Sequence, residues 1–143
     1  MSLSNRDRVG RALDLLNAGL KPFVMREMEA AYGVRWRYEV VNTLGDHHFT
    51  DDGQNLHLDI QALLLIMWDQ WNLVFKKTLG HAERNYVSEL RETRNKWADQ
   101  EAFSTQSAYR LLDSIQLLLA AVSATEQADE IERQKMELLR ISF

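Results

Sequence analysis

The stretch from Asp59 to Phe75, DIQALLLIMWDQWNLVF, carries the strongest structural signal in the sequence. Its apolar residues would lie on nearly all sides of a helix, whereas a helix at a protein surface usually shows one apolar stripe. Asp59 can accept a hydrogen bond from a backbone N–H group of the first turn and so begin the helix. We therefore predict that this stretch is the central helix of a bundle.

Helical patterns continue on both sides of this stretch. From Asn5 to Tyr32 the apolar residues recur at three- and four-residue steps, and Pro22 is expected to kink or split that segment. Further helices are predicted over Trp36 to Leu44, His81 to Ala98, Thr105 to Val122 and Thr125 to Arg140. The polar segment Gly45 to His57 predicts a loop, and no segment alternates convincingly enough for a strand. We expect an all-α, antiparallel up-and-down bundle of five to six helices.

The composition is that of an ordinary globular protein. The 143 residues include one proline, six glycines and no cysteine, and the formal net charge is −4. One helical domain over residues 1–143 is the simplest expectation, and the helical pattern at both ends favours an N-terminal fragment of a longer protein. The charge gives no general attraction for nucleic acid, and thiolate metal sites are excluded. No apolar run is long enough to cross a membrane, so we expect a cytoplasmic protein.

Arg94 occupies an unusual position in the helix from His81 to Ala98. At about 100° per residue it falls near the middle of the apolar face that Val87, Leu90 and Trp97 form. Its stem could lie on these neighbours while the guanidinium group reaches water. Alternatively, the guanidinium group could hold an anion, for which phosphate is well suited. The spacing alone leaves both interpretations open.

The segment from Thr78 to Leu118 places Arg94-Asn95 near the end of one helix and a capped helix after it. It reads TLGHAERNYVSELRETRNKWADQ and, after two residues, FSTQSAYRLLDSIQLL. This arrangement resembles the signature of the HEPN superfamily of helical-bundle proteins, in which an arginine and a polar residue are followed by a histidine. It is similar above all to the subtype found beside a nuclear mRNA-surveillance endoribonuclease. The same subtype occurs at the N-termini of large prokaryotic ATPase and helicase-like proteins, several linked to phage defence.

The resemblance implies a domain that dimerises so that two copies of the motif face each other across a cleft. Active relatives cleave RNA without a metal, and the ribose 2′-hydroxyl group attacks the adjacent phosphate. By this resemblance Arg94 holds the phosphate, Asn95 supports it, and Asp99 stands where the histidine belongs. An aspartate, with an ordinary pKa of about 3.9, is poorly suited to proton transfer at neutral pH and repels phosphate. Arg94 and Asp99 could instead form an ion pair.

We therefore expect a non-catalytic HEPN-like module for dimerisation, nucleic-acid binding or both, without a cofactor, inside a larger prokaryotic ATPase/helicase-like protein. A metal-independent endoribonuclease and a purely structural helical interaction domain are the alternatives. Expected partners are a second copy, RNA or another nucleic acid, and the ATPase/helicase-like domains, but no membrane. The expected catalytic residues are Arg94, Asn95 and Asp99. Nucleic acid would be bound by Arg84, Arg91, Arg94 and Lys96, and the dimer interface would contain Val87, Leu90 and Trp97.

Three other groups have competing interpretations. Glu83, Glu89 and Glu92 interleave with the basic residues, so that side of the helix could be an ordinary mixed solvent-exposed face. Trp68 and Trp71 are interpreted as core residues rather than as a base-stacking platform. The predicted loop holds a group of possible metal ligands: Asp46, His47, His48, Asp51, Asp52 and His57. Their spacing matches neither a calcium loop nor a helical zinc pair, so we predict no metal site.

Overall fold

The computed structural model describes residues 3–45, 49–51 and 56–142. These residues form α1 Asn5–Tyr32, α2 Trp36–Leu44, β1 Phe49–Asp51, β2 Leu56–Leu58, α3 Ile60–Asp69, α4 His81–Ala98, α5 Thr105–Ala121 and α6 Thr125–Ser142. Short 3-10 turns occupy Gly33–Arg35 and Phe75–Lys77. The helices pack as a bundle, which confirms the predicted all-α class. None of the described helices is long and apolar enough to cross a lipid bilayer.

Three helices begin at a side-chain cap. Ser4, Asp59 and Ser104 each have an extended backbone. Their side-chain oxygens accept hydrogen bonds of 2.8 to 3.0 Å from the backbone N–H group three residues later. Such a cap satisfies an N–H group that has no partner within the helix and contributes about 1 kcal/mol. The predicted starts of α3 and α5 are therefore confirmed.

The centre of the bundle is α1 rather than the stretch from Asp59 to Phe75. All five other helices contact α1, whereas α3 packs mainly on α1, α2 and α4. The stripe predicted for α1 is buried along its whole length, at Val9, Leu13, Leu16, Leu20, Val24 and Met28. The prediction of a central α3 is wrong, because an apolar composition shows that a helix is covered but not how many other helices cover it.

Pro22 does not divide α1 into two helices. A proline removes one backbone hydrogen bond and crowds the preceding turn, which is enough to end many helices. Here Leu20, Phe23 and Val24 on both sides of it are buried in the same core. Tertiary packing therefore keeps the helix continuous, and the alternative of two helices is wrong.

The helix predicted from Asp59 to Phe75 ends early, at Asp69. Gln70, the next residue, is buried and joins three elements. Its side-chain oxygen accepts a 2.6 Å hydrogen bond from the Tyr32 hydroxyl group, and its amide nitrogen donates to the hydroxyl oxygen of Thr43 at 2.9 Å. The chain turns here while Phe75 remains fully buried. The apolar pattern thus continues past the end of the helix.

The segment predicted as a loop, Gly45 to His57, contains β1 and all of β2 except Leu58, and the two strands pair antiparallel with Phe49 opposite Leu58. Leu56 and Leu58 are buried and His57 between them is exposed, as in a half-buried strand. Three residues are too few for this alternation to stand out in the sequence. Of the possible metal ligands, Asp46, His47, His48 and Asp52 lie outside the described residues. In the part of the chain that the structure describes, no three histidine or acidic residues form a group that could hold a metal ion.

Candidate nucleic-acid interface

The candidate site lies along α4, which spans the predicted range His81–Ala98. The helix begins at Gly80, whose backbone N–H group donates a 2.9 Å hydrogen bond to the carboxylate of Glu83. Val87 and Leu90 are fully buried and anchor α4 in the core. The positions on either side of this buried stripe face two different grooves, one toward α3 and one toward α5.

A cleft of about 110 Å³ between α3 and α4 contains the first half of the predicted motif. Its lining residues are Gln61, Leu64, Leu65, Arg91, Arg94 and Asn95. Arg94 is half-buried and Asn95 is exposed. Among the described residues, no carboxylate forms an ion pair with Arg94. The structure thus places Arg94 at the wall of an open cleft with its guanidinium group unneutralised.

Asp99 lies apart from the residues that line this cleft. It is the exposed C-cap of α4, and its backbone N–H group donates a 2.9 Å hydrogen bond to the carbonyl oxygen of Asn95. Five residues along a helix correspond to a rotation of about 140° from Arg94. Within this chain Arg94 and Asp99 form no ion pair, so the two residues do not neutralise each other.

Arg84 and Arg91 extend the positive charge along α4 toward its N-terminal half. Their guanidinium carbons lie 5.0 and 5.7 Å from the ring centroid of Trp68 on α3. Part of the Trp68 ring is accessible to solvent, whereas Trp71 is only 4% exposed and belongs to the core. The Nε atom of Arg84 is buried and has no hydrogen-bond partner. We call the surface formed by Gln61, Leu64, Leu65, Trp68, Arg84, Arg91, Arg94 and Asn95 the arginine groove.

Of the acidic residues that interleave with these arginines in the sequence, two have other partners and the third lies in another groove. Glu83 caps the start of α4, as described above. Glu89 forms a 2.6 Å ion pair with Arg110 of α5 and, by this hydrogen bond and by its charge, raises the pKa of that guanidinium group. Glu92 lines the second groove, between α4 and α5. Glu89 and Glu92 thus lie on the α5 side of α4, whereas Arg91 and Arg94 line the cleft toward α3.

Lys96 does not share the groove of the three arginines. It lines the second groove, of about 310 Å³, together with Glu89, Glu92 and Glu101. Its position on the helix is about 160° away from Arg94, which explains the separation. The predicted basic cluster is corrected accordingly: Arg84, Arg91 and Arg94 act on one side of α4, and Lys96 lies among carboxylates on the other.

The predicted interface residues are largely used within the chain. Val87 and Leu90 have no exposed surface to offer a partner, which corrects their assignment to an interface. Trp97 packs on α1, where its indole N–H group donates a 3.3 Å hydrogen bond to the backbone oxygen of Arg6. The guanidinium carbon of Arg6 also lies 4.9 Å from the Trp97 ring centroid. A dimer contact through α4 therefore cannot use Val87 or Leu90, and Trp97 has only part of its surface to contribute.

The residues of α3 were not predicted as part of the site. Gln61 is the single polar residue in the apolar run from Ile60 to Trp68. It precedes Trp68 by seven residues, which is about two helical turns. This spacing is the signal in the sequence that could have placed both residues on one side of α3. Periodicity could not show that this side would meet the arginines of α4.

A protein-family model described as Swt1-like HEPN matches residues 11–123. The match includes α2 to α5 and most of α1, so it covers the whole arginine groove and ends before α6. No curated protein and no solved structure matches the chain.

Proposed function

The chain belongs to the Swt1-like HEPN family, and on that basis we propose that its arginine groove binds the phosphate groups of RNA without cleaving them. Family membership makes the chain a module related to nucleic-acid binding or ribonuclease activity. One observation carries the more specific proposal. Arg94, which by resemblance is the arginine of the family motif, lines an open cleft beside Asn95 and has no carboxylate partner among the described residues.

The side chains of the arginine groove are well suited to bind phosphate. A partly desolvated guanidinium group is unfavourable without an anion, and its planar donors match phosphate oxygens in pairs. Arg84 and Arg91 add two positive charges to the same groove, while Glu89 and Glu92 lie on the α5 side of α4. This local positive surface can attract RNA although the net charge of the chain is −4.

The missing catalytic step follows from Asp99. A proton-transfer group must lie within reach of the reacting atoms and gain or lose its proton near the working pH. Asp99 is an exposed carboxylate on another side of α4, and it would repel a phosphate rather than serve as its acid. The position of Arg94 at an open cleft, and its lack of an ion-pair partner among the described residues, favour the alternative of a metal-independent endoribonuclease over that of a purely structural domain.

We further propose that the module acts in the cytoplasm within a larger prokaryotic ATPase/helicase-like protein.

We expect the protein to bind single-stranded RNA in excess chelator and to leave that RNA intact. With three arginine–phosphate contacts, the logarithm of the association constant should fall against the logarithm of salt concentration with a slope of about −2. Fluorescence anisotropy at several salt concentrations measures the slope, and a denaturing gel of the same samples measures cleavage. Absence of binding at low salt would favour the structural alternative, and chelator-resistant cleavage would favour the endoribonuclease.

We also propose that the module forms a homodimer through the solvent-facing side of α4. Asn95 is exposed where it lines the cleft, so pairing there would bring two Arg94 side chains toward one opening. We expect sedimentation velocity to show a dimer at micromolar protein concentration. Asn95→Lys should shift the equilibrium toward monomer by charge repulsion, whereas Gln106→Lys on the exposed face of α5 should not. A monomeric wild-type protein, or equal effects of the two variants, would contradict this interface.

A further inference from the structure

The arginine groove contains one group that phosphate binding does not require, the indole ring of Trp68. Leu64 and Leu65, which line the cleft, lie one helical turn before it on α3, so the ring is next to the cleft. The face of the Trp68 ring is not covered only by apolar core side chains, because the charged guanidinium groups of Arg84 and Arg91 lie over it. A half-buried aromatic ring beside unneutralised arginines is the combination that single-stranded nucleic-acid sites use for stacking.

Resting on the proposed function, we propose that Trp68 is a stacking subsite for a nucleobase of single-stranded RNA, adjacent to the phosphate position at Arg94. Arg91 connects the two positions, since it both lines the cleft and lies over the Trp68 ring. A charge-assisted hydrogen bond to phosphate is stronger than a cation–π contact at a partly exposed ring. When RNA enters, Arg91 and Arg84, the two guanidinium groups over the ring, turn to its phosphates and uncover the indole face, and the neighbouring base stacks on it.

Two other tryptophans can be compared with Trp68 in their burial and in their contacts with arginine. Trp71 follows within the same apolar stretch, but it is almost completely buried. Trp36 in α2 resembles Trp68 more closely, because it is half-buried and has the guanidinium carbon of Arg37 at 5.9 Å from its ring centroid. It lies outside the arginine groove, so Trp36 is the matched control for a tryptophan–arginine contact that does not bind a base.

The test compares two labelled probes of equal length, an oligouridylate and its abasic counterpart with the same number of phosphates. Wild-type protein should bind the oligouridylate at least about fivefold more tightly, because stacking of one base has a measurable effect on affinity. Trp68→Leu should remove this preference, so that the variant binds the two probes with equal affinity. Trp36→Leu should keep the preference, and circular dichroism of both variants verifies that they fold.

Each contrary result has a distinct meaning. Equal wild-type affinity for the two probes would overturn the base subsite and leave phosphate binding by the groove in place. A preference that survives in Trp68→Leu, or that is lost equally in Trp36→Leu, would overturn the assignment to Trp68. If neither probe binds wild-type protein, the proposed RNA binding fails and the subsite fails with it.

Discussion

Replacement of Gly19 by valine is expected to lower the free energy of unfolding by about 3 kcal/mol. A Cβ atom at Gly19 would clash with Cδ2 of Leu119 and lie 3.0 Å from Cβ of Ala124. Leu119 is fully buried, so it can turn aside only by displacing other core side chains, and the Cβ atom of Ala124 has no alternative rotamer. Valine adds two methyl groups to this clash. The substitution must therefore push α1 away from the corner where α5 leads into α6.

Gly10→Ala in the same helix is the control. A Cβ atom there would have the ring of Trp97 as its nearest neighbour, at 3.2 Å from Cζ2 and 3.3 Å from Nε1. That ring is partly exposed and can shift. In a helix interior, alanine is also more favourable than glycine by about 1 kcal/mol. We expect Gly10→Ala to remain within about 1 kcal/mol of wild type. Urea unfolding followed by circular dichroism measures both variants. Equal stability of Gly19→Val and Gly10→Ala would contradict the close approach at Gly19.

The helices could be predicted from the sequence because their signals are local. The caps at Asp59 and Ser104 and the three- and four-residue apolar steps involve residues within a few turns of each other. The wrong predictions arise where residues that are distant in the sequence determine the local structure. Pro22 remains inside a helix because the core holds both of its flanks, and α3 ends where the Gln70 side chain bonds to α1 and α2.

The candidate site could be predicted only on the α4 side. Arg94 attracts attention in the sequence because a charged residue interrupts an apolar stripe, and the structure places it in a cleft. The separation of Glu89 and Glu92 from Arg94 follows from helical geometry, since they lie about 140° and 160° around α4 from it, and the structure adds only the ion pair of Glu89 with Arg110. The sequence pattern predicts Trp68 as a core residue, and in the structure it packs, half-buried, against the core. Its apolar neighbours are visible in the sequence, but the two arginines over its ring are not.

Arg94→Glu is expected to weaken the binding of single-stranded RNA on the order of a hundredfold. Loss of a charge-assisted hydrogen bond costs about 1.5 to 3 kcal/mol, and the new carboxylate adds repulsion from the same phosphate. Each 1.4 kcal/mol corresponds to about a tenfold change in affinity. The salt dependence should change as well, because one lost phosphate contact reduces the slope by about 0.7. Fluorescence anisotropy over a salt series gives both quantities.

Arg140→Glu separates this local effect from the change in net charge. Arg140 is an exposed residue of α6, on a helix that contributes nothing to the arginine groove. The substitution changes the net charge of the chain as much as Arg94→Glu does, but surface charges more than about 10 Å from the RNA are largely screened at moderate salt. We expect Arg140→Glu to reduce affinity less than about threefold and to leave the salt slope unchanged. If the two variants lose affinity equally, RNA senses only the total charge of the chain, and the unpaired guanidinium group of Arg94 is not its binding site.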